Sequence, residues 1–93
     1  MSETLAALYS LIESRKTNAP PGSYTAQLFA AGEDEILKKV GEEAIEIIVA
    51  AKGQGDGRVV SEMADLIYHS MTLLALRGID WREVETELVR RMG

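Results

Sequence analysis

Cysteine is absent from the 93 residues. Its absence excludes disulfides, thiolate metal sites and a cysteine nucleophile, and it fits a reducing compartment. Proline is scarce: both copies fall together, at Pro20-Pro21. No unbroken apolar run approaches the roughly 18 residues of a membrane span. The first residues, Met1-Ser2-Glu3-Thr4-Leu5, lack a basic stretch followed by an apolar one, so they do not read as a secretory signal. Positive charge is also short, with 10 Lys and Arg against 15 Asp and Glu and a formal net charge of −5. Non-specific nucleic-acid binding needs the opposite balance. The expectation is a soluble cytoplasmic protein with neither a nucleic-acid nor a membrane partner. An acidic chain that handles a polyphosphate must screen its own charge, and a divalent cation is the usual means.

What remains is helix. The length allows one domain, 1–93, with a core small enough that oligomerisation is a common remedy. Leu5, Leu8, Leu11 and Ile12 recur at helical spacing with Ser2 as a cap, which predicts a helix over 3–15. Pro20-Pro21-Gly22 breaks it. Ser23 caps a short helix over Tyr24–Ala31, ended by Gly32 in the left-handed conformation. Glu33, Asp34 and Glu35 suit the positive end of a helix dipole, and that helix runs to about Lys52. The glycine-rich stretch Gly53–Gly57 predicts a loop. It is no phosphate loop, since it lacks the Gly-Lys-Ser/Thr ending and follows no strand. A further helix runs from about Arg58 to Leu76, where Gly78 ends it. Asp80 then caps a last helix from Trp81 to about Arg91. The fold class is all-α, a bundle of four to five helices.

The two long helices carry acids where a surface helix would not. On the first, Ile36, Val40, Ala44, Ile47 and Ala51 form a stripe that Leu37 and Ile48 widen. Glu43 lies on its edge, Glu46 further round with Lys39 between them, and Ile45 and Val49 lie opposite. Apolar residues on two faces predict burial between two partners. On the second, Met63, Ile67, Met71 and Leu74 form a stripe with Val60, while Glu62, Asp65 and His69 stand nearly opposite among Leu66, Leu73 and Leu76. The methionines are core filler. Glu43 and Glu46 are three residues apart, as are Glu62 and Asp65, so each pair shares a helix face. Facing each other, they would make four clustered carboxylates that repel unless cations intervene. Four negative charges match two Mg²⁺, which prefers hard oxygen ligands with open positions for water and phosphate. His69, four residues after Asp65, can donate a hydrogen bond to that carboxylate in a structural or supporting role. Solvated acidic faces are the bland alternative.

At these residues the chain resembles the phosphoribosyl-ATP pyrophosphohydrolase family, within the wider all-α nucleotide pyrophosphohydrolases. The resemblance runs through Ser23-Tyr24-Thr25-Ala26, Lys39-Val40-Gly41-Glu42-Glu43-Ala44-x-Glu46, Ala50-Ala51-Lys52, Glu62-x-Ala64-Asp65-Leu66-x-Tyr68-His69 and Gly78-Ile79-Asp80. It implies Glu43, Glu46, Glu62 and Asp65 as ligands of Mg²⁺, Glu42 as an additional ligand or water-orienting base, and a homodimer that completes the bundle. It implies hydrolysis of phosphoribosyl-ATP to phosphoribosyl-AMP and pyrophosphate, in histidine biosynthesis. Glu46 or Glu43 would activate water. Lys39 and Arg58, with Tyr24 and Thr25 at a capped helix start, would contact the phosphates. Two rivals stand beside this reading: a house-cleaning hydrolase of nucleoside triphosphates, and a non-catalytic helical dimerisation module. A di-iron carboxylate bundle would need Glu-x-x-His pairs, which the sequence lacks.

Overall fold

The structure, a computed structural model, describes residues 2–93. It contains five helices: α1 Ser2–Ser14, α2 Tyr24–Ala31, α3 Glu33–Gly53, α4 Asp56–Leu76 and α5 Trp81–Arg91. No strand occurs among the described residues. The cap expected of Ser2 lies outside the described side chains.

Local chemistry sets the other boundaries. Ser23 accepts a hydrogen bond from the Ala26 amide at 3.1 Å, which fixes the start of α2. Gly32 ends α2 and begins α3 at φ 101° and ψ 179°, so its backbone is extended rather than left-handed helical. That combination is close to glycine-only and lets two helices meet at one residue. At the end of α4, the Ile79 amide donates to the Leu74 carbonyl and the Gly78 amide to Ala75, with Gly78 at φ 72°. This is the double-bonded C-terminal cap that glycine favours. Asp80 Oδ1 accepts from the Arg82 amide at 2.9 Å and starts α5.

The glycine-rich stretch is the main departure from expectation. Only Gln54 and Gly55 separate the two long helices: Gly53 is the last residue of α3, and Asp56 and Gly57 belong to the first turn of α4. The helical penalty of glycine applies to a helix interior, and these glycines lie at helix ends. The short connection forces α3 and α4 to lie side by side as an antiparallel hairpin, and they form the most extensive helix pair in the chain.

The core sits at one end of that hairpin. Tyr9, Ile12, Met71 and Ala75 are buried together, with Leu5, Leu8, Phe29, Tyr68, Leu74 and Trp81 packed around them. Thus α1 and α5 cover the C-terminal part of α4. Lys16 donates to the Ala75 carbonyl at 2.8 Å, and Arg77 pairs with Glu33 at 2.9 Å, tying the end of α4 to the start of α3. The other half of the hairpin is bare. Ile45 and Ile48 are each 63 % exposed and Val60 is 68 % exposed; Val49, Met63 and Ile67 are also open. The stripe expected from Val60 to Leu74 is therefore buried only from Met71 onward.

Among the described residues, α4 alone has the length and mean hydropathy (1.2) of a membrane-crossing helix. It is not an unbroken apolar run, since Asp56, Arg58, Glu62, Asp65 and His69 interrupt it. It touches all four other helices, but its apolar residues Val60, Met63 and Ile67 remain open.

Candidate metal and substrate site

Midway along the hairpin, Glu43 of α3 faces Glu62 and Asp65 of α4. Ligand oxygens from these three carboxylates lie within 4.8 Å of one another. Glu62 is buried, Glu43 half-buried and Asp65 exposed, so the set opens to solvent on one side. Two carboxyl groups can hydrogen-bond only if one keeps a proton. The bond to Glu43, and then burial, hold the Glu62 carboxyl above the usual carboxylate range, while Arg58 pulls it the other way. Arg58, one turn earlier, forms an ion pair with Glu62. Once that proton leaves, three carboxylates against one guanidinium carry two net negative charges. The donor set, all hard oxygen with an open side, fits a divalent cation of the Mg²⁺ type.

Glu46 does not join this set: it is exposed, and its carboxylate is not among the three that meet. Glu42 is turned to Lys39, 3.8 Å away. The four-acid arrangement expected from the two Glu/Asp pairs is thus three acids in close contact, with Glu46 beside them on α3.

A second layer joins the acids to α2. Tyr24 Oη lies 3.1 Å from His69 Nε2. His69 is buried, and its Nδ1 is 3.7 Å from Glu43 Oε1. The carboxylate it approaches is therefore Glu43 on the facing helix rather than Asp65 on its own. Burial pushes the imidazole below its ordinary pKa, opposed by the Asp65 backbone and carboxylate. Burial likewise pushes the Tyr24 hydroxyl up, with Lys39 acting against it. Next to this pair, Thr25 and Tyr68 share a short hydrogen bond, and the rings of Tyr24 and Tyr68 stack at 6.2 Å. Sequence reasoning missed Tyr68. Its signal was present in the Tyr68-His69 pair, but its partner Thr25 lies 43 residues away in the chain.

A concavity of about 530 Å³ lies elsewhere, between α1 and the start of α5, and none of the acid set lines it. Its polar residues Tyr9, Glu13, Asp80 and Arg82 are already occupied by one another or by backbone.

Comparison with known proteins places the chain in a family. The profile of the phosphoribosyl-ATP pyrophosphohydrolase family matches residues 5–92. A phosphoribosyl-ATP pyrophosphatase of Metallosphaera sedula is 50 % identical over 92 residues, covering 99 % of both chains. Those of Pelotomaculum thermopropionicum and Lactiplantibacillus plantarum are 52 % and 48 % identical, over 90 % and 98 % of this chain and 86 % of their own length. With a helical hairpin that gathers three carboxylates and a family match along nearly its whole length, the chain belongs to the phosphoribosyl-ATP pyrophosphohydrolase family.

Proposed function

We propose that this chain hydrolyses phosphoribosyl-ATP to phosphoribosyl-AMP and pyrophosphate, with Mg²⁺ held by Glu43, Glu62 and Asp65. The observation that carries the reading is the convergence of those three carboxylates within 4.8 Å, only partly balanced by Arg58. The names of the relatives supply the substrate, and with it a place in histidine biosynthesis in the cytoplasm. Bound there, Mg²⁺ would neutralise phosphate charge and acidify a coordinated water.

The chain's own residues divide the remaining work. Cleavage of the anhydride between the α and β phosphates is mostly a matter of positioning and charge stabilisation. Glu46, exposed and outside the close acid set, is free to orient the attacking water and accept its proton. Glu42, paired with Lys39, is a further ligand or base on the same helix. Lys39 and Arg58 flank the acids and can each meet a phosphate oxygen. Tyr24 and Thr25, at the capped start of α2, line the approach from the other side.

We also propose that the working unit is a homodimer. The protomer's radius of gyration is 14.2 Å, against about 12 Å for a compact chain of this length. The excess lies in the bare hairpin, whose apolar residues Ile45, Ile48, Val49, Val60 and Met63 form a face that a second copy would bury.

The test is pyrophosphate release from phosphoribosyl-ATP with and without Mg²⁺, beside Glu62→Gln and Glu46→Gln. Mg²⁺-dependent release lost in both variants supports the assignment. Release from deoxynucleoside triphosphates but not from phosphoribosyl-ATP moves the protein to the house-cleaning hydrolases. A folded protein that releases none from either is a helical interaction module.

A further inference from the structure

A chain of contacts through three helices ends in the acid set. Tyr24 opens α2, His69 lies midway along α4 and Glu43 midway along α3. Tyr24 Oη is 3.1 Å from one ring nitrogen of His69, and the other, Nδ1, is 3.7 Å from Glu43 Oε1. His69 is 6 % exposed, and its buried Nδ1 makes no hydrogen bond of good geometry, with the Asp65 backbone beside the ring and Glu43 facing it.

We propose that Tyr24 and His69 form a positioning pair for Glu43. The Tyr24 hydroxyl donates to Nε2 and so holds the imidazole in its Nδ1–H form, and that N–H is directed at Glu43 Oε1. The inference rests on the reading of Glu43 as a metal ligand and adds to it the device that orients the ligand. It also changes the role of Tyr24, which acts through His69 rather than by touching substrate.

A neutral imidazole has one N–H and one lone pair, and an ionised carboxylate offers only lone pairs. The ring nitrogen beside Glu43 must therefore carry the proton, because the opposite tautomer would aim a lone pair at a negative charge. Nε2 is then the acceptor, and the hydroxyl of Tyr24 is the donor that matches it. The 3.7 Å separation is longer than a hydrogen bond. The pair is thus a buried donor close to, but not yet bonded to, a carboxylate that is itself short of positive charge. Carboxylates that bind metals are commonly held by such outer hydrogen bonds, and losing one typically weakens metal binding 10–100-fold. A purely structural role, pinning α2 to α4, is already filled next door by the Thr25–Tyr68 hydrogen bond and the stacked tyrosine rings.

Replacement by amides separates the two ring nitrogens. The side-chain nitrogen of Asn sits near the position of Nδ1, and that of Gln near Nε2. The experiment is calorimetric titration of the whole chain with Mg²⁺ alone, for wild type, His69→Asn, His69→Gln, Tyr24→Phe and the Tyr24→Phe/His69→Asn double variant. His69→Gln is expected to weaken Mg²⁺ binding by about 10–100-fold, while His69→Asn stays near wild type. Tyr24→Phe is expected to weaken binding several-fold in the wild-type background and not in the His69→Asn background, where there is no tautomer to set. Wild-type binding with His69→Gln unimpaired overturns the pair and leaves the metal reading standing. Absence of Mg²⁺ binding by folded wild type overturns the metal reading and the pair with it. A long-range ¹H–¹⁵N spectrum of the unmutated protein needs no variant to fold: an Nδ1–H tautomer supports the pair, and an Nε2–H tautomer overturns it.

Discussion

Replacing Tyr9 with Phe tests how α1 is fastened to the turn before α5. Tyr9 is 9 % exposed, and its hydroxyl donates to the Ile79 carbonyl at 2.5 Å, with Glu13 Oε2 at 3.2 Å. The substitution leaves the ring in the core and removes only this link. A net hydrogen bond of this kind contributes about 1 kcal/mol, so at pH 7 the melting temperature should fall by about 4–8 °C. In alkali the sign changes. Burial first, then the bond to Glu13 and nearby acids, push the Tyr9 hydroxyl from 10.0 up to about 12. A folded pKa raised above the unfolded one stabilises fully below pH 10 and is lost as pH climbs through 12. Each unit is about 1.4 kcal/mol, so wild type should lose roughly 2–3 kcal/mol that Tyr9→Phe does not lose. The variant, less stable at neutral pH, should equal and then exceed wild type between pH 10 and 12. Urea unfolding followed by circular dichroism, at one protein concentration across this pH range, measures the gap directly. A gap unchanged from neutral pH to the alkaline limit would refute the reasoning, because the hydroxyl would then ionise equally in both states.

Three further outcomes are expected. Mg²⁺ at about 100 times its Kd should stabilise wild type by about 2.7 kcal/mol in a thermal melt; Glu62→Gln should lose most of that gain, and an equal gain in both would remove Glu62 from the site. Asp80→Ala deletes the α5 cap and should lower the melting temperature. Because Arg82 and the cap amide hold the Asp80 carboxyl below its usual range, the difference from wild type should persist at neutral pH and shrink as acid protonates it; a difference growing in acid contradicts this. Ile48→Lys, on the bare face of α3, should shift sedimentation from dimer to protomer without loss of helix, whereas an unchanged mass would move the interface elsewhere.

Much of this architecture was readable where side chain and backbone interact locally. Ser23, Gly32, Gly78 and Asp80 mark helix ends through bonds within a few residues, and each does so in the structure. Gly53–Gly57 was misleading because composition does not say which glycine lies at a helix end and which lies between helices. The acids were legible as spacing but not as geometry. Residues three apart on a helix are turned about 60° from one another. On α4 both members of the pair come close to Glu43, while on α3 Glu43 is half-buried against them and Glu46 is exposed. The links from Tyr24 to His69 and from Thr25 to Tyr68 span 45 and 43 residues, and no local pattern carries information over that distance. The two apolar faces of α3 predict burial on both sides; within the chain α4 and α2 cover one of them, and the face carrying Ile45, Ile48 and Val49 stays open.

The uneven cover on α4 has a consequence for how the molecule breathes. This helix is 21 residues long, about 32 Å from end to end. Its last turns, around Met71 and Ala75, are enclosed by α1 and α5. Its first turns leave Val60 and Met63 open to solvent. Opening free energy tracks such local packing, so amide exchange in an isolated, metal-free protomer should be graded along one continuous helix, slowest near Met71 and fastest near Arg58. The acids lie on the fast-exchanging part of that gradient. Ion and partner would then act as the missing packing for the half of α4 that the chain leaves uncovered, and the slow-exchanging region should extend toward Arg58 as each is added.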